Sequence, residues 1–178
     1  MSALRLINET EVTSGVTSVN VTDVFSADFD IYKVVLENFN VQTANDYFYM
    51  KLLNSAGSVV NTTTYDSAAL TMYANATFAE ARVTNNSAGL WTTTNFLNTT
   101  QAEAYESVNY VFNPYSTSSY TFTLCQHGQH YNTYFRATKG IGVEKTLQRI
   151  TGMQFVVGIL GGTLANGTIR TYGLRVDS

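Results

Sequence analysis

The sequence contains very few cysteines, which cross-link many small folds, and very few prolines, which interrupt regular secondary structure. Among its 178 residues there is one cysteine, Cys125, and one proline, Pro114. A single cysteine excludes an intramolecular disulfide framework, so the fold depends on packing or on assembly. No window reaches the roughly 18 to 20 apolar residues of a membrane-spanning helix, and the first residues lack the apolar core of a signal peptide. The sequence therefore predicts no membrane partner and no secretion.

Charge of either sign is also scarce. Charged residues make up 13% of the chain, roughly half the share in a typical soluble domain. The net charge is −3 and the ten Lys and Arg residues are scattered, which argues against a nucleic-acid partner because its phosphates require a basic patch. The chain also lacks a G-x-S-x-G nucleophile elbow and a glycine-rich loop between a strand and a helix. We therefore predict a non-enzymatic protein without a cofactor.

What the chain does contain is a large share of hydrophobic residues, 44%, including 12 Tyr and 10 Phe. Apolar and polar residues alternate over 106–112, 119–127 and 168–176, as in half-buried strands. With turn signals between such runs, the pattern predicts an all-β antiparallel β-sandwich, jelly-roll-like, with about eight to ten strands and at most one short helix. The predicted organisation is an N-terminal arm over residues 1–15 and a single β-sandwich domain over residues 16–178.

The strongest hairpin signal lies near the C-terminus. Two apolar-rich runs, 150–160 and 168–176, flank a glycine-rich break whose residues tolerate positive φ. We expect these runs to pair with each other and close the core. Upstream, the runs 31–39, 47–54 and 59–65 are predicted to form an antiparallel meander.

Turns and irregular segments are predicted at several other positions. Residues 127–129, His-Gly-Gln, are a predicted turn, and Gly140 and Gly142 are predicted turn residues. Residues 66–83 fit a short helix and a strand equally well, and residues 85–100 are predicted to form a loop. Aromatic rings that alternate with polar residues along the strands are assigned to the core.

No metal site is assigned, and Cys125, His127 and His130 are its only candidates. Structural zinc usually needs four ligands, and the chain has no fourth Cys or His. The simpler interpretation is a buried cysteine and two histidines near a hairpin tip. A calcium-binding loop at residues 28–30 is a further alternative, although this segment lacks the glycine and the distal glutamate of an EF-hand.

Two candidate interaction sites remain. Leu4, Leu6 and Ile7 are the apolar residues with which the N-terminal arm is expected to dock on a neighbouring subunit or surface; a loosely packed first strand is the alternative. Trp91, in a Thr- and Asn-rich segment, is the candidate sugar-contact residue, since exposed rings can stack on sugars.

The C-terminal motifs resemble those of a known group of proteins. I-T-G-M-Q-F at residues 150–155 and G-T-I-R-T-Y-G-L at residues 167–174 are similar to the C-terminal signature of small structural proteins of tailed-bacteriophage virions. The segment S-V-N-V-T-D-V-F-S at residues 18–26 and the strand that ends at Asn113 and Pro114 also resemble that group.

The resemblance implies a jelly-roll module on a phage particle: a capsid decoration protein, a head fibre or a tail component. Such modules commonly assemble as trimers. The implied partners are therefore further copies of the chain and the major capsid protein or tail proteins of the virion. The implied location is the virion, after synthesis in the cytoplasm of the bacterial host. The alternative function is a carbohydrate-binding β-sandwich module for host-surface attachment.

Overall fold

The computed structural model describes residues 4–42, 46–87, 89–90, 96–131, 133–157 and 160–174. These residues form thirteen strands, one 3₁₀ turn (Gln101–Glu103) and no α-helix. The strands are β1 (Leu4–Val12), β2 (Ser18–Val21), β3 (Ile31–Val41), β4 (Asp46–Tyr47), β5 (Tyr49–Asn54), β6 (Tyr65–Tyr73), β7 (Ala79–Asn86), β8 (Phe96–Leu97), β9 (Tyr105–Phe112), β10 (Thr121–Tyr131), β11 (Tyr134–Glu144), β12 (Ile150–Val156) and β13 (Leu164–Leu174).

The strands form one large sheet and one small sheet, with a short additional pair. The large sheet has eight strands in the order β1-β13-β3-β9-β10-β11-β6-β7, the small sheet has three in the order β2-β12-β5, and β4 pairs with β8. All pairings are antiparallel. The predicted all-β antiparallel sandwich is confirmed, and its two sheets are of unequal size.

Aromatic rings from both sheets meet in the core. Phe48, which separates β4 from β5, lies with its ring centroid 5.0 Å from that of Phe39 and 5.7 Å from those of Tyr105 and Phe155. All four side chains are fully buried, and burial of each contributes about 2 to 3 kcal/mol. This cluster fixes the small sheet against strands β3 and β9 of the large sheet.

Residues 4–12 form the edge strand of the large sheet, so the separate N-terminal arm predicted over residues 1–15 is wrong for this segment. β1 pairs with β13 along its whole length, with one irregularity after Leu6. Beyond its end, the backbone N–H of Gly15 donates to the carbonyl of Leu164 at 2.9 Å. A regular ladder of hydrogen bonds thus holds the segment to its own chain, and the alternative of a first strand is the one observed.

The predicted C-terminal hairpin is wrong, because its two strands belong to different sheets. β12 pairs with β2 and β5, whereas β13 pairs with β1 and β3. A buried carboxylate anchors the connection between them: Asp46 accepts the backbone N–H of Leu160 at 3.1 Å and that of Gly162 at 2.7 Å. The glycine-rich break therefore belongs to the connection that leads from the small sheet to the large sheet, and it does not form a tight hairpin turn.

The predicted meander of residues 31–39, 47–54 and 59–65 is also wrong, because β3 and β5 lie in different sheets. Residues 66–83, where helix and strand were equally favoured, lie in the strands and connecting turn of the β6–β7 hairpin. This hairpin, together with the two-residue strands β4 and β8, brings the number of strands above the predicted eight to ten.

β10 and β11 continue through positions that were predicted to be turns. Residues 127–129 keep the antiparallel register with β11. Gly128 stands beside the ring of Phe135, which lies 3.2 Å from where a Cβ of residue 128 would be. An aromatic ring that covers a strand glycine supplies the contact that the glycine lacks. Gly140 and Gly142 likewise lie within β11, on its buried side.

Candidate interaction surface

The register of the large sheet sorts its side chains into rows, because residues directly opposite each other on antiparallel strands share a face. We call the side that points away from the small sheet the outer face. Its first row consists of Leu4, Leu174, Ile31, Phe112, Phe122, Val143 and Asp66. Its second row consists of Leu6, Tyr172, Lys33, Tyr110, Leu124, Ile141, Ala68 and Arg82. We call these two rows the apolar rows, since most of their members are apolar; the charged members are Lys33 on β3, Asp66 on β6 and Arg82 on β7.

Several large side chains of the apolar rows are open to solvent. The exposed fractions are 57% for Ile141, 51% for Leu6 and 45% for Phe122. Tyr110 and Phe112 shield each other in part, with ring centroids 6.5 Å apart. A largely apolar surface over the six neighbouring strands from β1 to β11 is uncommon in a soluble monomer and indicates an interaction site.

The opposite face of β10 and β11 is buried and largely polar. Along β10, the exposed fractions of Thr121, Thr123 and His127 are 1%, 4% and 3%, whereas Phe122 between them is half exposed. Our prediction that rings alternating with polar residues point into the core is therefore wrong for Phe122 and also for Tyr120, which is 41% exposed. The alternation is as predicted, but the buried side is the polar one.

Some of the polar side chains on this buried face hydrogen-bond to one another. The hydroxyls of Thr71 and Thr138 lie 2.9 Å apart across β6 and β11, and Asn109 donates from Nδ2 to Ser107 Oγ at 2.9 Å. Hydrogen-bonded pairs of this kind offset part of the cost of removing polar groups from water. The hydroxyls of Thr121 and Thr123 are buried without such a partner among the described residues.

His127 is a strongly perturbed titratable group on this buried face. Its ring stacks on that of Tyr105 with centroids 4.9 Å apart. Burial, and secondarily the positive charge of Arg136, lower the pKa of His127 to about 3. The imidazole is therefore neutral at physiological pH, and at 3% exposure it cannot reach a substrate in solvent. This histidine is suited to a packing role.

The three candidate metal ligands do not converge. Cys125 and His127 are buried on the inner side of β10, whereas His130 is exposed and lies on the other side, with Nδ1 3.6 Å from Oε1 of Glu103. Strand alternation separates them, because residues 125 and 127 share one face and residue 130 belongs to the other. Within the described parts of the chain, no group of three His, Cys, Asp or Glu side chains is close enough to hold a metal ion.

One end of the outer face is acidic. The rows beyond the apolar rows carry Glu9, Glu11, Glu37 and Glu106, and Arg170 forms ion pairs with Glu9, at 2.5 Å, and with Glu37. Burial raises the pKa of Glu106, while a hydrogen bond from the backbone N–H of Asn38 opposes this rise and the nearby Glu37 adds to it. The outer face thus has an apolar end and a charged end.

The other predicted interaction residues have different locations. Leu4 and Leu6 project from β1 into the apolar rows, whereas Ile7 packs partly against the hydrophobic core. Trp91 lies outside the described residues. Asp28, from the predicted calcium loop, is exposed and hydrogen-bonded to Ser26. The structure therefore places two of the three predicted docking residues on the outer face.

The chain was compared with protein-family models, curated proteins and solved structures. No match was found in any of the three comparisons. Within the described residues there is also no helix long and apolar enough to span a membrane. Function is therefore inferred from the exposed residues of the outer face.

The members of the apolar rows on β9, β10 and β11 were missed as interaction residues by sequence reasoning. Tyr110 and Phe122 each lie in a run that alternates apolar with polar residues, and such a run does not indicate which side is covered. Ile141 lies between two glycines that were predicted to be turn residues. The relevant signal is the adjacency of these strands, and that follows from the topology.

Proposed function

We propose that this protein is a non-enzymatic structural subunit of a bacteriophage virion, a capsid decoration, head-fibre or tail component. It acts by assembling with copies of itself and docking on the particle. The single observation that carries the proposal is the exposed pair of apolar rows on the outer face. A sheet that leaves an apolar band of its outer face open to solvent is suited to burying that band in an assembly.

The resemblance to tailed-phage virion proteins is the reason for proposing that the assembly is a phage particle. Its two C-terminal segments, residues 150–155 and 167–174, fall on β12 and β13, one in each sheet. They therefore contribute to both layers of the sandwich. The same resemblance implies a jelly-roll chain path and a trimer, and both belong to this proposal.

A carbohydrate-binding module is the second candidate, and a group of tyrosines favours it. The ring of Tyr134 lies 5.9 Å from that of Tyr73 and 6.0 Å from that of Tyr131, and the guanidinium of Arg136 stands 4.2 Å from the centre of the Tyr131 ring. The three rings are partly exposed at the end of the β10–β11 hairpin. Aromatic groups with an adjacent cation are suited to stacking on and hydrogen-bonding to a sugar.

The test is whether the protein is a stoichiometric part of a particle. Virions are purified on a density gradient from a lysate of the host strain that carries the gene, and the protein is quantified in them by mass spectrometry against the capsid protein. A fixed copy number per particle supports the proposal. Recovery of the protein only in the particle-free fraction contradicts it, and in that case specific retention on a glycan array favours the carbohydrate-binding function.

A further inference from the structure

We propose that the outer face is covered by the outer face of another copy of this chain, with the apolar rows of one copy against the apolar rows of the next. This inference rests on the proposed function, because it names the partner of the surface on which that function depends. Three features of the outer face support the choice of partner: its size, its symmetry and the placement of its charges.

The outer face has the size that a stable interface requires. Eight strands spaced about 4.8 Å apart span roughly 34 Å, and alternate residues along a strand are about 6.8 Å apart. The apolar rows over the six strands from β1 to β11 therefore cover roughly 330 Å², and the four rows over all eight strands cover roughly 900 Å². A standard interface buries about 800 Å² of each partner. One further copy is enough to cover the face.

The apolar rows extend to both sides of the middle of the sheet. Ile31 and Phe112 lie on one side of the boundary between β9 and β10, and Phe122 and Val143 lie on the other. A rotation that exchanges the two halves therefore places Ile31 against Val143 and Phe112 against Phe122. Lys33 comes opposite Ile141, and the charged residues of β6 and β7 come opposite β13 and β1 at the edges of the face. The centre of the face is thus complementary to itself, as an interface between identical subunits must be.

The charged end restricts how two copies can be oriented. An axis parallel to the strands places each row opposite the same row, so the apolar rows meet and the carboxylates of Glu11, Glu37 and Glu106 remain at the rim. An axis across the strands would place these carboxylates against the apolar rows, and their desolvation would cost several kcal/mol. Two sheets that pack face to face also diverge through their twist, which leaves one end of the interface accessible to water.

The experiment measures mass in solution for the full chain and for four single variants. Phe122→Asp and Ile141→Asp place a carboxylate in the apolar rows. Phe78→Asp and Leu147→Asp are matched controls, because these side chains are 65% and 60% exposed but lie in the β6–β7 turn and in the segment after β11. Circular dichroism checks that every variant is folded, which we expect because all four side chains are at least 45% exposed.

We expect the unaltered chain and both controls to have the mass of a dimer, the assembly that a two-fold axis produces, at a concentration where Phe122→Asp and Ile141→Asp are monomers. A monomeric or trimeric unaltered chain, or face variants that assemble as well as the controls, would overturn the inference. These outcomes are independent of the virion measurement. A monomer that is found in particles retains the proposed function with another particle protein on the face, whereas a face-dependent oligomer that is absent from particles retains the inference alone.

Discussion

The free energy of unfolding depends on pH through His127, which lies on the buried side of the large sheet. Its pKa is lowered from 6.5 to about 3, first by burial and then by Arg136. Between these two values the unfolded chain binds a proton at this residue and the folded protein does not. The free energy of unfolding therefore decreases as the pH falls from about 6.5 towards 3, by up to about 1.4 kcal/mol per pH unit for this one group.

We predict that His127→Gln makes stability less dependent on pH. The amide cannot take up a proton in the unfolded state, so the contribution of residue 127 to the pH slope disappears. Denaturant unfolding at pH 7 and pH 5 measures the effect, as the difference between the two free energies of unfolding. His130→Gln is the matched control, since its ring is exposed on the other side of β10, and we expect it to keep the slope of the unaltered chain. An unchanged slope in His127→Gln would show that burial does not keep this imidazole neutral.

Residue identity predicted which side chains share a face but not which face is inside. In β10 the alternation of Thr121 and Thr123 with Phe122 and Leu124 is visible in the sequence, and the structure confirms it. The pattern contains no information on what covers each side. Aromatic and hydroxyl side chains are both compatible with a β-strand. Whether the ring is buried within its own chain or exposed to a partner depends on which face of the sheet is covered by another layer.

At the scale of elements, the sequence predicted where strands occur better than it predicted which strands pair with each other. β9 and β13 were predicted close to their observed bounds, because each has a long run with a clear period. The partner of β12 was not, since two β-prone runs around a glycine-rich break fit a hairpin and a crossing between sheets equally well. The deciding contact, from Asp46 to the backbone of Gly162, joins residues 116 positions apart. Local patterns cannot report such a contact.

The junction of β2 and β12 gives a prediction at this scale. A Cβ at Gly152 would overlap the carbonyl oxygen of Val21 and lie 3.1 Å from Cα of Thr22. Because these are backbone atoms, they cannot move aside without disturbing the pairing of β2 with β12. We expect Gly152→Ala to lower the free energy of unfolding by about 3 kcal/mol, as measured by denaturant unfolding.

Gly161→Ala is the comparison for this substitution. Gly161 has a φ of +85° and no heavy atom within 4 Å of the added Cβ, so its cost is that of backbone conformation alone, about 1 kcal/mol. A loss in Gly152→Ala no larger than that in Gly161→Ala would mean that β2 is not held tightly against β12.

At the scale of the whole molecule, the unequal sheets explain why the interaction surface is where it is. A three-stranded sheet cannot cover both sides of an eight-stranded one, and it packs on the side where the rings of Phe48 and Phe155 meet. Among the described residues, no second layer of strands packs on the remaining side of the large sheet. Domains are normally built from layers that bury one another's apolar faces, so a second subunit is the natural source of the missing layer.

If another copy supplies that layer, the stability of the fold depends on protein concentration. Mass action stabilises a folded state that self-associates, because the unfolded chain does not take part in the interface. For a chain of this length we expect the melting temperature to rise by about 2 °C for each tenfold increase in concentration. Ile141→Asp should remove this dependence, and Leu147→Asp should retain it. Scanning calorimetry over a hundredfold range of concentration measures it, and a melting temperature of the unaltered chain that does not change across that range would contradict an interface between copies.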